Sequence, residues 1–326
     1  MVSPERLANP AFAHRIGPLI EQSGLIVIDE AHCISDWGFD FRPDYQRLSN
    51  VLTASASTPV LATTATANQR VTDDVARQLG DATLVLRGGL ARSSLRLSVL
   101  PGLGPLERLA WVDEAMGHLP GSGIVYVPTV ADTERLAGFL SSQGHAVAAY
   151  SGKVESAERE RIEDELRANR LKAVVATSAL GMGYDKPDLG FCVHVGSPDS
   201  PVAYYQQVGR AGRAIERAEA VLLPAETDER LWEYFATASI PLQRDVDTVL
   251  ATLAEVGEPM SVIALESATG LRRGRLESLL KVVAVDGAVD RDGGKWFSTG
   301  VPYVYDDEKW NAIRRARQGE ADLMRA

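Results

Sequence analysis

Two adjacent acids, Asp29 and Glu30, directly follow an apolar run at residues 24–28. The run is apolar at consecutive rather than alternate positions, which predicts a buried strand of a parallel sheet. Ligands bind at the carboxyl ends of such strands, so we expect both carboxylates in a ligand crevice. One carboxylate can hold Mg²⁺ through its water shell, and the next can orient a water for attack on a phosphate. The alternative is a solvated turn.

Two arginines near residue 210 are a second candidate site for phosphate chemistry. Arg210 and Arg213 alternate with Gly209 and Gly212. Their spacing predicts that both point to one side of a helix that starts there. A guanidinium matches phosphate geometry and stabilises the charge that builds during phosphoryl transfer. A helix with ordinary surface arginines is the alternative, and the glycines, which permit close backbone approach, argue against it.

An aromatic and cationic cluster follows the acids, with Trp37, Phe39, Phe41 and Arg42. Stacking of a base on an aromatic ring is worth ~1–3 kcal/mol and tolerates any sequence, so the cluster predicts a contact to single-stranded DNA. Phe39 and Phe41 are equally explained as core residues. Trp37 and Arg42 are the stronger candidates.

Two further segments carry polar side chains near strand ends or glycine turns. Thr177 ends an apolar run and suits a contact to a DNA phosphate. Asp185 follows a glycine turn that includes Gly183, and it suits a contact to the ribose of a nucleotide or a role in coupling DNA to the nucleotide. Glycine-rich loops are common, so both assignments stay open.

The elements that position these residues alternate as in a parallel α/β sheet. We predict strands at residues 25–28, 58–64, 123–127, 146–150, 173–176, 191–195 and 220–223, and an extended stretch within 84–99. We predict helices at residues 8–22, 42–52, 68–79, 130–142 and 157–169.

Residues 240–300 have a different pattern. Three short helices, at 245–256, 262–268 and 271–284, precede a hairpin around residues 292–294, which is typical of a winged helix. Basic residues on the third helix, Arg272, Arg273 and Arg275, are candidate DNA contacts. Trp296 is expected in the core of the hairpin. A helical packing module without DNA contacts is the alternative, because the region as a whole is slightly acidic.

Four segments, in order along the chain, resemble the motifs of RecQ-type DNA helicases of superfamily 2. They are Asp29-Glu-Ala-His-Cys-Ile-Ser-Asp-Trp37-Gly-Phe39-Asp-Phe41-Arg42-Pro43-Asp-Tyr45, Thr63-Thr-Ala-Thr66-Ala, Ala176-Thr177-Ser-Ala-Leu-Gly181-Met182-Gly183-Tyr-Asp185-Lys-Pro187 and Tyr204-Tyr-Gln206-Gln-Val-Gly209-Arg210-Ala-Gly212-Arg213. The resemblance covers residues 1 to about 225 and is specific as a set.

The resemblance implies an α/β fold with two RecA-like parallel-sheet lobes, the first incomplete, followed by a small winged-helix-like α+β domain. The expected domains are residues 1–92, 93–226 and 240–300, with a helical extension at 301–326. The implied activity is that of an ATP-dependent DNA helicase, which couples hydrolysis to 3′-to-5′ translocation and unwinding in recombination and repair. The implied cofactors are ATP and Mg²⁺. The implied partner is DNA, single-stranded and at duplex junctions, and the chain is expected to be a monomer.

The resemblance also implies residue roles. Asp29 would hold Mg²⁺ through water, Glu30 would orient the attacking water, and Arg213 would be the arginine finger with Arg210 beside it at the γ-phosphate. His32 would relay the state of that phosphate to Thr64 and Thr66, although a buried histidine with a structural task is a fair rival. The remaining implied contacts are Gln206 and Gly209 at the nucleotide cleft and Ser151 on the DNA strand. The aromatic and cationic cluster at residues 37–42, hereafter the aromatic loop, would sense single-stranded DNA.

One motif of the family does not occur in the sequence. A P-loop requires Gly-x-x-x-x-Gly-Lys-[Ser/Thr], and the first lysine of the chain is Lys153, in a segment without that spacing. We therefore expect the chain to begin midway through the first lobe and to lack ATP hydrolysis alone. A non-catalytic remnant that binds DNA or anneals strands is the rival hypothesis. An RNA helicase of the DEAH class fits the acidic motif but not the aromatic loop.

Composition sets the remaining limits. The 326 residues are 45% hydrophobic and 24% charged, as in soluble globular proteins, and no apolar stretch or signal pattern predicts membrane insertion or export. The two cysteines, Cys33 and Cys192, cannot form the family's four-cysteine zinc site and fit a cytoplasmic setting. The net charge of −10 permits DNA binding only through local basic clusters, whose affinity falls with salt.

Overall fold

The computed structural model describes residues 2–3, 6, 10–34, 58–67, 69–80, 82–89, 92–180, 184–238 and 240–325. The chain divides into two compact units, of which the first comprises residues 1–86 and 233–319 and the second residues 87–232 and 320–326. The predicted domain boundaries differ in detail from this division and stay predictions. Among the described helices, none combines the length and apolar character that a membrane crossing requires.

The N-terminal part of the first unit contains two helices and two short parallel strands. These elements are α1 (Pro10–Glu21), β1 (Ile26–Ile28), β2 (Val60–Ala62) and α2 (Gln69–Leu79), with a 3₁₀ turn at Ala31–Ile34. All four fall within predicted elements, and α2 ends as expected at Gly80, whose φ of +110° no helix accommodates. Ile28 pairs with Ala62, so the residues after β1 and β2 leave the sheet side by side. The helix predicted at residues 42–52 lies outside the described residues.

The second unit is built on a parallel sheet of six strands. Its elements are β3 (Leu95–Val99), α3 (Pro105–Met116), β4 (Gly123–Tyr126), α4 (Val130–Ser142), β5 (Val147–Tyr150), α5 (Ser156–Arg167), β6 (Ala173–Ala176), β7 (Phe191–Val195), α6 (Pro201–Val208) and β8 (Ala218–Leu223), and α7 (Asp228–Ala238) follows them. The strands are ordered β3-β8-β7-β4-β6-β5. Every predicted strand and helix of this unit is present, which confirms the predicted α/β class.

Apolar layers cover both faces of this sheet and explain why its strands are apolar at consecutive positions. Ile124 and Val174 contribute to one layer, and Val125 and Val175 to the other. Each of these side chains is fully buried. The sequence did not predict α3, α6 or α7. With eight residues, α6 is too short for a helical period to be distinguished from the neighbouring loops.

The C-terminal part of the first unit contains the three predicted helices and the hairpin. They are α8 (Gln243–Val256), α9 (Val262–Thr269), α10 (Arg273–Val285), β9 (Val289–Asp292) and β10 (Lys295–Ser298), and α11 (Asp307–Arg325) follows. Gly293 and Gly294 both have positive φ, as a two-residue hairpin turn requires. Trp296 is buried in the core that these helices share, as predicted. The elements of a winged helix are present, and the assignment itself stays a prediction.

Candidate functional site

The parallel pairing of β1 and β2 brings the acidic segment against the threonine segment. Asp29 Oδ1 accepts hydrogen bonds from the Thr63 hydroxyl and from the amide of Glu30, each at 2.9 Å. The backbone is joined as well, since Ala31 N donates to Thr63 O at 2.9 Å. The orientation of the Asp29 carboxylate is therefore set by the neighbouring strand.

His32 connects the acids to the same threonine segment. Its buried ring places Nδ1 3.1 Å from Thr64 Oγ1 and 3.5 Å from Thr66 Oγ1. Glu30 Oε2 lies 3.2 Å from the same nitrogen, but not in hydrogen-bond geometry. Glu30 also has a φ of +50°, which costs a residue with a side chain about 1 kcal/mol or more. The structure thus joins Glu30, His32, Thr64 and Thr66 in one contact network. Asp29 is attached to it through the hydrogen bond from the Glu30 amide.

The donor set around Asp29 fits a hard divalent cation. Asp29 is exposed, and both of its hydrogen bonds use Oδ1, so Oδ2 has no partner among the described residues. Glu30 Oε2 is buried without a hydrogen bond. The described residues contain no group of three or more His, Cys, Asp or Glu side chains that could hold a metal. A single carboxylate with waters and phosphates is the usual protein share of a Mg²⁺ site.

The second unit corrects the prediction that Arg210 and Arg213 lie on the first turn of a helix. α6 ends at Val208, and residues 209–214, hereafter the arginine loop, follow it as turns. A Cβ at Gly209 would lie 2.8 Å from Tyr205 O, and Gly212 has a φ of +70°. The two glycines therefore end the helix and turn the chain, rather than opening a new helix.

Because the loop is not helical, the two arginines do not share one side. Arg210 is 9% exposed, and its Nη1 donates to Tyr184 O at 3.1 Å. Arg213 is 40% exposed, and its Nη1 donates to Asp185 Oδ1 at 2.7 Å. Arg213 is thus accessible to a ligand, whereas Arg210 is buried and hydrogen-bonded within the second unit. A contact from Arg210 to the γ-phosphate stays a prediction.

The arginine loop is docked on the segment that carries Asp185. Gly212 N donates to Leu189 O at 3.0 Å, and Ala214 N donates to Pro187 O at 2.8 Å. The sequence-predicted residues Asp185, Gly209 and Arg213 are therefore brought together. Gln206 lies half-buried on the last turn of α6, and Gly183 lies outside the described residues.

Sequence reasoning missed a buried aromatic cluster beneath α6. His194 stacks on Tyr126 with ring centroids 5.1 Å apart, and its Nε2 donates to Gln207 Oε1 at 2.7 Å. Burial lowers the pKa of His194 to about 4, so the ring is neutral at pH 7. Burial likewise raises the pKa of Cys192 to about 12. Only the position of His194 within a predicted strand hinted at this core role.

Sequence reasoning also missed two residues that lie before β3. Arg92 Nη1 donates to the carbonyls of Gly209 and Ala211, and the Ser94 hydroxyl donates to the carbonyl of Gly212. These contacts join parts of the chain more than a hundred residues apart, and no local motif signals them.

The two predicted strand contacts of the second unit are neighbours. Tyr150 pairs with Ala176, so Ser151 and Thr177 follow adjacent strands at one edge of the sheet, and Thr177 N donates to Tyr150 O at 3.3 Å. Thr177 is half-buried, but Ser151 is only 3% exposed. Thr177 is therefore the more accessible of the two.

The three predicted arginines at the start of α10 differ in their surroundings. Arg272 and Arg273 are exposed, and Arg273 pairs with Glu277 on the same helix. Arg275 turns inward, where its Nε donates to Oδ2 of the buried Asp245 at 2.6 Å. Arg275 is thus half-buried, and its Nε is engaged by a carboxylate of its own domain. Trp37, Phe39 and Arg42, predicted to contact DNA, lie outside the described residues.

Comparisons with protein families match two stretches of the chain. Residues 1–75 match the DEAD/DEAH box helicase domain, and residues 107–215 match the helicase conserved C-terminal domain. Together the two stretches include both the acidic pair and the arginine loop.

Curated relatives are RecQ helicases. The chain is 36% identical over 228 residues to the ATP-dependent DNA helicase RecQ of Pasteurella multocida, covering 70% of this chain and 35% of that protein. It is 34% identical over 259 residues to the probable ATP-dependent DNA helicase RecS of Bacillus subtilis, covering 79% of this chain and 52% of that protein. The chain thus spans between about a third and a half of the length of these relatives.

Solved structures agree in fold. The Mycobacterium smegmatis helicase Lhr bound to ssDNA and AMP-PNP superimposes with a TM-score of 0.55 at 21% identity, covering 95% of this chain and 44% of that chain. Saccharomyces cerevisiae Dbp5 bound to RNA and ADP BeF3 also gives 0.55, at 20% identity, covering 69% of this chain and 61% of that chain. These similarities identify the RecA-like helicase fold.

Proposed function

We propose that this chain, which matches two helicase domains and has RecQ-type DNA helicases as relatives, supplies the water-activating and arginine-bearing parts of an ATP-dependent DNA helicase. The observation that carries the proposal is the network in which Asp29 and His32 bond to Thr63 and Thr64. A solvated turn after a strand has no need of a buried histidine or of a residue with positive φ.

We assign the steps as follows. Asp29 holds Mg²⁺ through water, and Glu30 accepts a hydrogen bond from the attacking water and orients it. Bound Mg²⁺ would neutralise charge on the transferred phosphate. Arg213 exchanges Asp185 for the γ-phosphate and stabilises the charge that develops there. Asp185, Gln206 and Gly209 border the nucleotide, and His32 with Thr64 and Thr66 couples its state to the strand-binding surface.

We further propose that the helicase binds DNA and moves along it. Thr177 and Ser151 would contact strand phosphates, with the aromatic loop and the exposed Arg272 and Arg273 as additional contacts. Translocation from 3′ to 5′, action at duplex junctions in recombination and repair, a monomeric state and a cytoplasmic location complete the proposal. All of these are inferred from the RecQ relatives.

A non-catalytic remnant that binds or anneals DNA is the second candidate, and the sequence observation that favours it is the missing P-loop. ATP hydrolysis separates the two. We expect no DNA-stimulated hydrolysis from this chain alone, because no described residue cradles the β-phosphate. We expect hydrolysis once the P-loop segment of a RecQ relative is placed before Met1, hereafter the P-loop chimera.

The matched control is the chimera with Glu30→Gln, which keeps the fold and removes the water-orienting carboxylate. Hydrolysis by the chimera that Glu30→Gln abolishes supports the motor. An inactive chimera that folds and binds single-stranded DNA supports the remnant. Normal turnover by the unmodified chain would contradict the assigned need for a P-loop.

A further inference from the structure

The end of α6 leaves backbone carbonyls that need partners. The last carbonyls of a helix receive no hydrogen bond from the helix itself, and they carry the negative end of the helix dipole. Here the chain turns at Gly209 and again at Gly212, so the carbonyls of the arginine loop cannot find partners in a continued helix. Their partners come from residues 92–94.

Arg92 supplies the first of these contacts. Its Nη1 donates to Gly209 O at 2.7 Å and to Ala211 O at 3.0 Å. A single guanidinium thus bridges two carbonyls on either side of Arg210. A cation at this position also opposes the negative end of the α6 dipole. Arg213 Nε donates to the same Gly209 carbonyl at 3.3 Å, so Arg92 and Arg213 share an acceptor.

Ser94 supplies the second contact. Its hydroxyl donates to Gly212 O at 2.6 Å, and its own carbonyl accepts from Ala218 N at 2.8 Å. A Cβ at Gly212 would lie 2.8 Å from Ser94 Oγ. Glycine at this position is therefore required both for the turn and for the approach of Ser94.

We propose that Arg92 and Ser94 are positioning residues for Arg213, because they hold the loop whose Gly209 carbonyl accepts from Arg213. This inference rests on the proposed function for the role of Arg213. Loss of the Arg92 contact therefore frees the Gly209 carbonyl, which accepts from Arg213 Nε.

The decisive test is hydrogen exchange in the chain as it stands. Arg92→Ala should raise exchange of the Gly212 and Ala214 amides about tenfold, because a charged hydrogen bond to a carbonyl is lost. Arg92→Lys should fall between, since an ammonium reaches one carbonyl more readily than two, and Ser94→Ala should act on the same amides. The control is Arg96→Ala, an exposed arginine on β3 whose side chain makes no hydrogen bond to the described residues of the arginine loop. Equal exchange in the Arg92 and Arg96 variants would overturn the proposal, as would a uniform rise across the unit.

A kinetic measurement tests the consequence of the Arg92 contacts for catalysis. In the P-loop chimera, Arg92→Ala should lower kcat about tenfold with KM for ATP nearly unchanged, and Arg92→Lys should restore part of it. A merely structural loss would lower melting temperature and active fraction instead. If the chimera is inactive while exchange responds as stated, the proposed function fails and the positioning role stands. Full kcat in Arg92→Ala contradicts the role in catalysis.

Discussion

Arg213 Nη1 and Asp185 Oδ1 lie 2.7 Å apart, across 28 residues of sequence. Both side chains are largely exposed, at 40% and 62%. An ion pair in such surroundings contributes at most about 1 kcal/mol. Arg213 is therefore held in a defined direction and can still leave Asp185 for a phosphate at little cost, which is what an arginine finger requires.

Removal of this guanidinium should abolish turnover without unfolding the protein. In the P-loop chimera we expect Arg213→Ala to lower kcat by about 10³-fold or more, the range found for arginine fingers. The control is Arg217→Ala, an exposed arginine four residues away that pairs with Glu219. Steady-state ATP hydrolysis with saturating single-stranded DNA is the measurement. Equal losses in both variants would rule out a specific role for Arg213.

His194 should make stability depend on pH. Its pKa is about 4 in the folded state against 6.5 for the free group, so the unfolded chain binds the additional proton. The contribution of His194 to the free energy of unfolding is then fully present above about pH 6.5. It is lost as the pH falls towards 4, by roughly 3 kcal/mol in total. Urea unfolding between pH 4 and 7 should show this slope.

The variant His194→Phe keeps an aromatic ring against Tyr126 and cannot take up a proton. We expect its unfolding free energy to be lower at pH 7, because Gln207 loses its partner, but flatter with pH. The exposed His118→Gln is the control and should keep the slope of the parent. An unchanged slope in His194→Phe would show that another group titrates.

The arginines at the start of α10 should separate into two classes. Arg272→Ala and Arg273→Ala should weaken DNA binding and each reduce the salt dependence by about one phosphate contact. Arg275→Ala should instead lower the free energy of unfolding by about 2 kcal/mol, because the buried Asp245 loses the closer of its two arginine partners and keeps only the exposed Arg244. Fluorescence anisotropy against salt and urea unfolding measure the two effects. Loss of DNA affinity in Arg275→Ala alone, with stability intact, would reverse this assignment.

One face of the β1–β2 sheet should limit solubility. Leu25, Val27 and Leu61 are 51%, 58% and 48% exposed, and Val27 pairs with Leu61, so the three form an apolar patch. We expect Val27→Thr with Leu61→Thr to reduce self-association, because threonine keeps the strand propensity and removes apolar area. Light scattering against concentration is the measurement. The control Leu19→Thr alters a single exposed leucine of α1 and should change little.

Much of the fold could be predicted because its signals are local. The strands at residues 173–176 and 191–195 were predicted with the bounds that the structure has, since burial on both faces leaves an uninterrupted apolar run. The helix α4 was predicted in full, and Thr129 caps it by accepting from Asp132 N. The acids were placed correctly at the end of β1 by a similar apolar run, but the prediction that this strand is buried was wrong for Val27, which is 58% exposed.

The prediction for the arginines failed because spacing does not reveal where a helix stops. Two residues three apart share a side only within a helix, and this helix ends at Val208, before Arg210, while Gly212 turns the chain between the two arginines. The chemistry of the guanidinia was apparent from residue type. Which of them was open to a ligand depended on Tyr184 and Asp185, contributed by a distant segment.

The sequence by itself determined the order of the motifs, the chemistry that each could perform and the parallel α/β class, because these depend on residue type and short-range periodicity. Only the tertiary structure decided that Arg213 is exposed while Arg210 is buried, that Arg275 is paired inward, and that Arg92 holds the arginine loop. Each of those outcomes depends on a hydrogen bond between residues far apart in the chain. Such bonds form only after the sheets and helices have packed, so no local pattern encodes them.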